Sequence, residues 1–205
     1  MNESEHWDKI YSTKSAQQVG WYTPHLKTSI KWITELNLTA DDPVIDVGGG
    51  ASTLVDDLLS AGYKELTVLD LSEGAISLTR KRLGTLSSSV TWMNGDITKI
   101  ELPSQHFKLW HDRAVFHFLT DTERQQRYKD ALLAALKVNG YFIIGTFDLE
   151  APPQCSGLPV QRYTSEILCS TFGKEFQLKH HQHEIHRTPS GLEQTYVYCL
   201  FQRTA

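Results

Sequence analysis

Three consecutive glycines, Gly48, Gly49 and Gly50, sit between a run of β-formers and an amphipathic stretch in VIDVGGGAS, residues 44–52. Glycines between a strand and a helix let backbone N–H groups approach a ligand at the helix N-terminus. A dinucleotide site would want a further glycine where Thr53 stands, and the Lys-Ser/Thr pair of a phosphate loop is missing. Asp46 lies two residues before Gly48, where a carboxylate repels a pyrophosphate and suits the amino group of a methionine zwitterion. A sulfonium donor is thereby favoured over NAD. Asp70, 20 residues beyond Gly50, ends the next β-rich run, a position from which a carboxylate accepts both ribose hydroxyl protons. A plain helix cap is the competing role for Asp70, and Ser72 is the better cap candidate.

The acceptor side is marked by fewer residues. His117 follows the fourth strand by a few positions, and an imidazole titrating near neutrality could deprotonate an acceptor or equally cap a turn. Tyr22 is the second group expected within reach of the reacting sulfur, whereas His111, inside the strand, is expected to pack. Cys155, Arg162 and Tyr163 belong to an excursion that leaves the carboxyl edge of the sheet, where ligands of open α/β folds bind. They either shape an acceptor pocket or form an ordinary Pro-stiffened loop. In HHQHEIH, strand alternation puts only His181 and His183 on one face among His180, His181 and His183, so no metal is expected.

Crossover units position these groups. Short β-rich runs alternate with amphipathic segments from residue 43 to 147: VIDV, a helix over about 52–61, ELTVLDL, a helix over 73–83, SVTWMNGD, FKLWHD, a helix capped by Asp121 and running to about 136, then YFIIGTF after an Asn139-Gly140 turn. The pattern is that of a parallel sheet with helices on both faces. Residues 148–205 hold the excursion, a short helix near 165–172 and two strands, EFQLKHHQHEI and EQTYVYCLFQ, whose connection is too short for a helical crossover. Residues 1–42 form a helical cap rich in Trp and Tyr, and the 205 residues are expected to make one domain.

Several separate strings resemble the class I, seven-stranded S-adenosylmethionine-dependent methyltransferases: DVGGGAS the first motif, VLDLS the ribose-binding acidic motif, NGDI the adenine segment and WHDRAVFHFL the strand-four segment at the reaction centre. The N-terminal HWDKIY and GWY are similar to the elongation-factor and citrate-synthase lysine methyltransferases and their bacterial relatives. That resemblance implies a doubly wound, three-layer α/β sandwich with mixed strand order 3-2-1-4-5-7-6 and an antiparallel strand seven. It implies S-adenosylmethionine as cofactor and S-adenosylhomocysteine as product. It places Trp7, Tyr11 and Trp21 over the cofactor, Asp70 with Leu71 and Ser72 at the ribose, Asp96 and Ile97 at adenine, and Asp112, Arg113 and Ala114 along the methionine end. Ser52 departs from the pattern, since many members carry a further glycine there. The aromatic trio also has a direct reading: ring faces attract a sulfonium by ~0.5–2 kcal/mol, although Trp7 and Tyr11, four apart, would equally pack as a lid.

The net charge of −4 and the lack of basic runs argue against nucleic acid and anionic membranes as partners. No apolar stretch approaches the ~20 residues of a membrane span, the N-terminus is too polar for a signal peptide, and Cys155, Cys169 and Cys199 lack metal or redox spacing. A cytoplasmic protein with reduced thiols is expected. The NPPY-like motif of amide methylation is missing at strand four, where HDRA stands. The expected acceptor is a small soft nucleophile, thiol or amine, with protein lysine as the alternative and a non-catalytic S-adenosylmethionine-binding sensor as the rival of another class.

Overall fold

The computed structural model describes residues 2–205. Two helices precede the sheet, α1 (Glu3–Thr13) and α2 (Lys27–Glu35). α1 starts at a capping box in which Asn2 accepts from the Glu5 N–H and the Glu5 carboxylate accepts from the Asn2 N–H. The α/β body follows as β1 (Val44–Val47), α3 (Leu54–Ser60), β2 (Leu66–Asp70), α4 (Glu73–Leu83), β3 (Val90–Asn94), β4 (Phe107–Arg113), α5 (Thr122–Ala135) and β5 (Leu136–Phe147). The remainder is a two-residue-stranded hairpin, β6 (Gln154–Cys155) and β7 (Leu158–Pro159), then α6 (Ser165–Phe172) and the long strands β8 (Phe176–Arg187) and β9 (Glu193–Arg203).

The sheet order is β3-β2-β1-β4-β5-β9-β8, which is the expected order with the two long C-terminal strands as sixth and seventh. The first five strands are parallel and β9 runs antiparallel to both β5 and β8. Side chains alternate along β5, so Phe142 and Ile144 join the core on one face while Ile143 joins the other. One face packs on Tyr128 and Leu132 of α5 and Phe172 of α6, the other on Trp32 of α2 and Leu54 and Leu58 of α3. Both faces are covered, as an all-parallel centre requires.

Two local expectations are corrected, and the excursion after β5 gains detail. Asn139-Gly140 makes no turn before a strand; β5 already begins at Leu136 and the pair is a bulge within it, with Asn139 at φ 60°. Register jumps there, from Phe107 opposite Leu136 to Leu109 opposite Tyr141. α3 starts at Leu54, later than expected, because Thr53, not Ser52, is the N-cap residue. The excursion after β5 contains a small hairpin whose tip, Ser156 at φ 53° and Gly157 at φ 79°, turns in the left-handed region.

Candidate functional site

The order reverses between β1 and β4, so the loops leaving the carboxyl ends of β1, β2 and β4 diverge there and open a cleft. Its wall holds Gly48 after β1, Asp70 and Leu71 at the end of β2, Asp96 and Ile97 after β3, and Arg113 and Ala114 at the end of β4. Trp7 and Tyr11 of α1, with Trp21 from the segment before α2, complete it. These ten of the residues read from sequence share one cavity.

Geometry explains the glycines. Gly48 has φ 71°, and a Cβ there would lie 2.0 Å from Val115 Cγ2. A Cβ on Gly49 would meet Asp46 Oδ2 at 2.3 Å, and one on Gly50 the Asp70 carboxyl at 2.7 Å. Gly49 and Gly50 thus let the loop sit on two carboxylates and are not themselves part of the cleft wall. Asp70 accepts from the Gly50 N–H at 2.9 Å and the Ser72 N–H at 2.8 Å, one bond on each oxygen, leaving a lone pair on each for a ligand hydroxyl. Burial outweighs these bonds and raises its carboxyl to about 6. Ser72, expected at the ribose, is fully buried: its hydroxyl caps α4 by accepting from Ala75 N–H and donates to Asp8 at 2.5 Å.

Asp46 and Arg113 line a smaller pocket that shares Gly48 and Trp21 with the cleft and is closed by Tyr22. Asp46 Oδ1 accepts from His111 Nδ1 at 2.7 Å, since a carboxylate only accepts, and His111 Nε2 contacts the Ser29 hydroxyl at 2.8 Å. All three are buried, and Asp46 Oδ2 has no partner. His111, expected only to pack, therefore orients the carboxylate; facing register of Asp46 and His111 on β1 and β4 makes this pairing. Arg113 donates from Nε to the Tyr198 hydroxyl at 2.8 Å and from Nη1 to the Trp21 carbonyl at 3.0 Å, and its guanidinium lies over the Tyr196 ring at 4.5 Å. Nη2 has no partner. A carboxylate and a guanidinium, each with one unused atom, flank the same pocket.

The cap is an aromatic assembly: Trp7 meets Trp21 at 5.6 Å and Phe118 at 5.1 Å, and Tyr11 meets Trp21 at 6.0 Å, all edge to face. Glu3 and Arg124 close the rim as a bidentate pair at 2.6 and 2.7 Å. Asp8 anchors α1 by accepting from Ser72 and from the Gly74 N–H. Neither Arg124 nor Asp8 was legible as part of the site, because a contact spanning 121 residues leaves no local signal; the spacing of Asp8 between Trp7 and Tyr11 was the one available hint.

Five expected residues fall elsewhere. His117 is fully buried beside Phe118 and Phe147, and its Nδ1 accepts from the Phe147 N–H. Desolvation, then the Arg113 charge, lowers it to about 3, so it is neutral at physiological pH and far too weak a base to deprotonate a thiol or amine. Asp112 is not along the cleft: it accepts from the Tyr128 hydroxyl at 2.6 Å and from the N–H groups of Val115 and Phe116, which fixes the turn after β4. Tyr163 is a core residue whose hydroxyl accepts from Gln125, and Arg162 braces its own loop through the carbonyls of Leu149 and Ala151. Cys155 is buried under the hairpin, and burial pushes its thiol to about 11. Among the described residues no group of three or more candidate ligands could hold a metal ion, and no helix is long and apolar enough to cross a membrane.

The fold and this cleft define the class I, Rossmann-like methyltransferase architecture. Residues 44–140 match the family model described as a methyltransferase domain. A mouse (Mus musculus) protein, eEF1A lysine and N-terminal methyltransferase, is 25% identical over 146 residues, 68% of this chain and 21% of its own; the chain thus spans about a fifth of that relative. A structure described with the conversion of a disulfide bond into a thioacetal group during echinomycin biosynthesis superposes with a TM-score of 0.79 at 19% identity, covering 99% of this chain and 93% of that one. A SAM-dependent methyltransferase from Anabaena variabilis gives 0.75 at 14% identity over 99% and 96%. Residues 44–140 thus match a methyltransferase domain, and the fold of the whole chain is that of solved S-adenosylmethionine-dependent methyltransferases.

Proposed function

We propose that the protein transfers a methyl group from S-adenosylmethionine to a small soft nucleophile, a thiol or an amine. The observation that carries this is the gathering of Asp70, the unpartnered Asp46 and Arg113 atoms and the aromatic cap around two adjoining pockets that share Gly48, Trp21 and Arg113. In this reading Asp70 accepts the ribose hydroxyls, Asp96 and Ile97 border adenine, and the pocket between Asp46 and Arg113 takes the ammonium and carboxylate of the methionine end. Bound, the donor supplies an electrophilic methyl on a sulfonium with a neutral leaving group. The protein aligns the two reactants, and the rings of Trp7, Tyr11 and Trp21 exclude water and favour the cation.

No imidazole lines the donor cleft, and His117 cannot act as base. The acceptor must then reach its nucleophilic form unaided. A thiol near pKa 8.5 is a few per cent thiolate at neutral pH, whereas an alkyl amine such as lysine, near 10.4, is ammonium rather than free amine by roughly three orders of magnitude, which favours the thiol of the two. The names of the eEF1A methyltransferase relatives favour protein lysine as the second reading. Incubation with methyl-labelled donor, a panel of small thiols and amines, and cell lysate separates the two. Label in a small S- or N-methyl product is expected; label confined to protein would overturn the small-acceptor reading.

A further inference from the structure

Sharing Trp21 with the donor cleft is a second groove, lined by Val19, Gly20 and Trp21, by α1 and by the hairpin tip at Ser156. Its charged and polar lining is one-sided: Lys9 and Lys14, both exposed, together with His6, and no carboxylate among the described residues. The chain as a whole is acidic, with 24 Asp and Glu against 20 Lys and Arg, so a cationic groove is not what its average composition supplies. The acids of α1 are used elsewhere: Glu3 pairs with Arg124, Glu5 accepts from the Asn2 N–H, and Asp8 from Ser72 and Gly74. His6, which lines the same groove, is half-buried, and its Nε2 has no hydrogen-bond partner. A buried polar atom left without a hydrogen bond is costly, and a bound polar ligand would satisfy it. Trp21 is the wall common to this groove, the donor cleft and the Asp46–Arg113 pocket.

We propose that this groove is the acceptor port and that the acceptor is a small anion, its carboxylate-like charge held by Lys9, Lys14 and His6 while its nucleophilic end reaches past Trp21. The proposal rests on the methyl-transfer reading and narrows its substrate class. It also decides against lysine side chains, which two ammonium groups at the entrance repel. In the step itself, the acceptor thiol loses its proton to water, and its sulfur forms the new bond to carbon as the donor's sulfonium–methyl bond breaks. The bonding pair returns to the donor sulfur.

Three thiols of equal length and different charge test this: 3-mercaptopropionate, 3-mercapto-1-propanol and 3-aminopropanethiol. Binding to the full chain loaded with S-adenosylhomocysteine is followed by ligand-observed NMR, and methylation by kcat/KM. The anionic thiol is expected to bind and react about tenfold better than the neutral one and the cationic thiol worse, with the advantage lost near 0.5 M KCl. In Lys9→Glu/Lys14→Glu the order reverses while affinity for S-adenosylhomocysteine and the melting temperature stay as in the parent. Equal binding of the three thiols, or an order unchanged by the double substitution, overturns the port. Charge-ordered binding with no methylation of any thiol leaves the port standing and instead defeats the thiol acceptor.

Discussion

Asp70 carries two backbone hydrogen bonds and still has its carboxyl raised to about 6 by burial, which makes donor binding sensitive to pH. Ribose hydroxyls donate, so they need the ionised form; above about pH 6 the site is ready, and below it affinity for S-adenosylhomocysteine falls by about tenfold per pH unit. A titration calorimetric pH series checks the slope. Asp70→Ala removes both acceptor atoms and should weaken binding by about 100-fold, as two hydrogen bonds to a charged group are worth roughly 1.5 kcal/mol or more each. His117 gives the opposite expectation. His117→Ala empties a buried ring site and should cost about 2–4 kcal/mol of stability by denaturant unfolding, yet leave the shape of the kcat pH profile unchanged between about pH 6 and 9. Sequence showed that an imidazole followed strand four; it could not show which way the single turn at Phe116–Phe118 would aim it. The same limit hid the Asp46–His111–Ser29 chain, whose members come together only when α2 docks under β1 and β4.

At the scale of elements, α1 is a lid held by polar and aromatic contacts. None of its residues is fully buried; its polar ties to the body are Ser4 to the Leu71 carbonyl, Asp8 to Ser72 and Gly74, and Glu3 to Arg124, and Trp7 and Tyr11 pack edge to face on Trp21 and Phe118. Such an element sits at the low end of local stability. Asp8→Ala should speed amide exchange across residues 3–13 and raise donor release about five- to thirtyfold, with little change in global unfolding, since the Asp8 contacts to Ser72 and Gly74 are together worth about 1–2 kcal/mol. The glycine loop is the rigid counterpart: Gly48→Ala combines a left-handed φ with overlap on Val115 and should cost about 2–4 kcal/mol along with donor binding. Strand and helix identities were readable because period-two and 3.6-residue patterns alternate cleanly from Pro43 to Phe147. The Asn139 bulge was not, since Asn-Gly reads as a turn in either setting and only the neighbouring strand decides. The two-residue strands of the β6–β7 hairpin are too short to carry any period at all.

For the whole molecule, the sheet lines the cleft proposed for the donor, while the N-terminal cap covers that cleft and, with the hairpin tip, frames the groove proposed for the acceptor. The donor cleft draws on the carboxyl ends of four strands, and these positions follow from topology, which is why seven of its residues were foreseeable there, while Trp7, Tyr11 and Trp21 come from the cap. The acceptor groove is made by α1 and Ser156, segments that meet across about 150 residues of chain with no pattern to announce it. The central claim is that the cleft holds S-adenosylmethionine. Isothermal titration of S-adenosylhomocysteine and of NAD into the purified chain tests it most directly. One site for S-adenosylhomocysteine, weakened about 100-fold in Asp70→Ala, with no heat from NAD is the predicted result. No binding of S-adenosylhomocysteine at millimolar concentration, or NAD binding in its place, would contradict it.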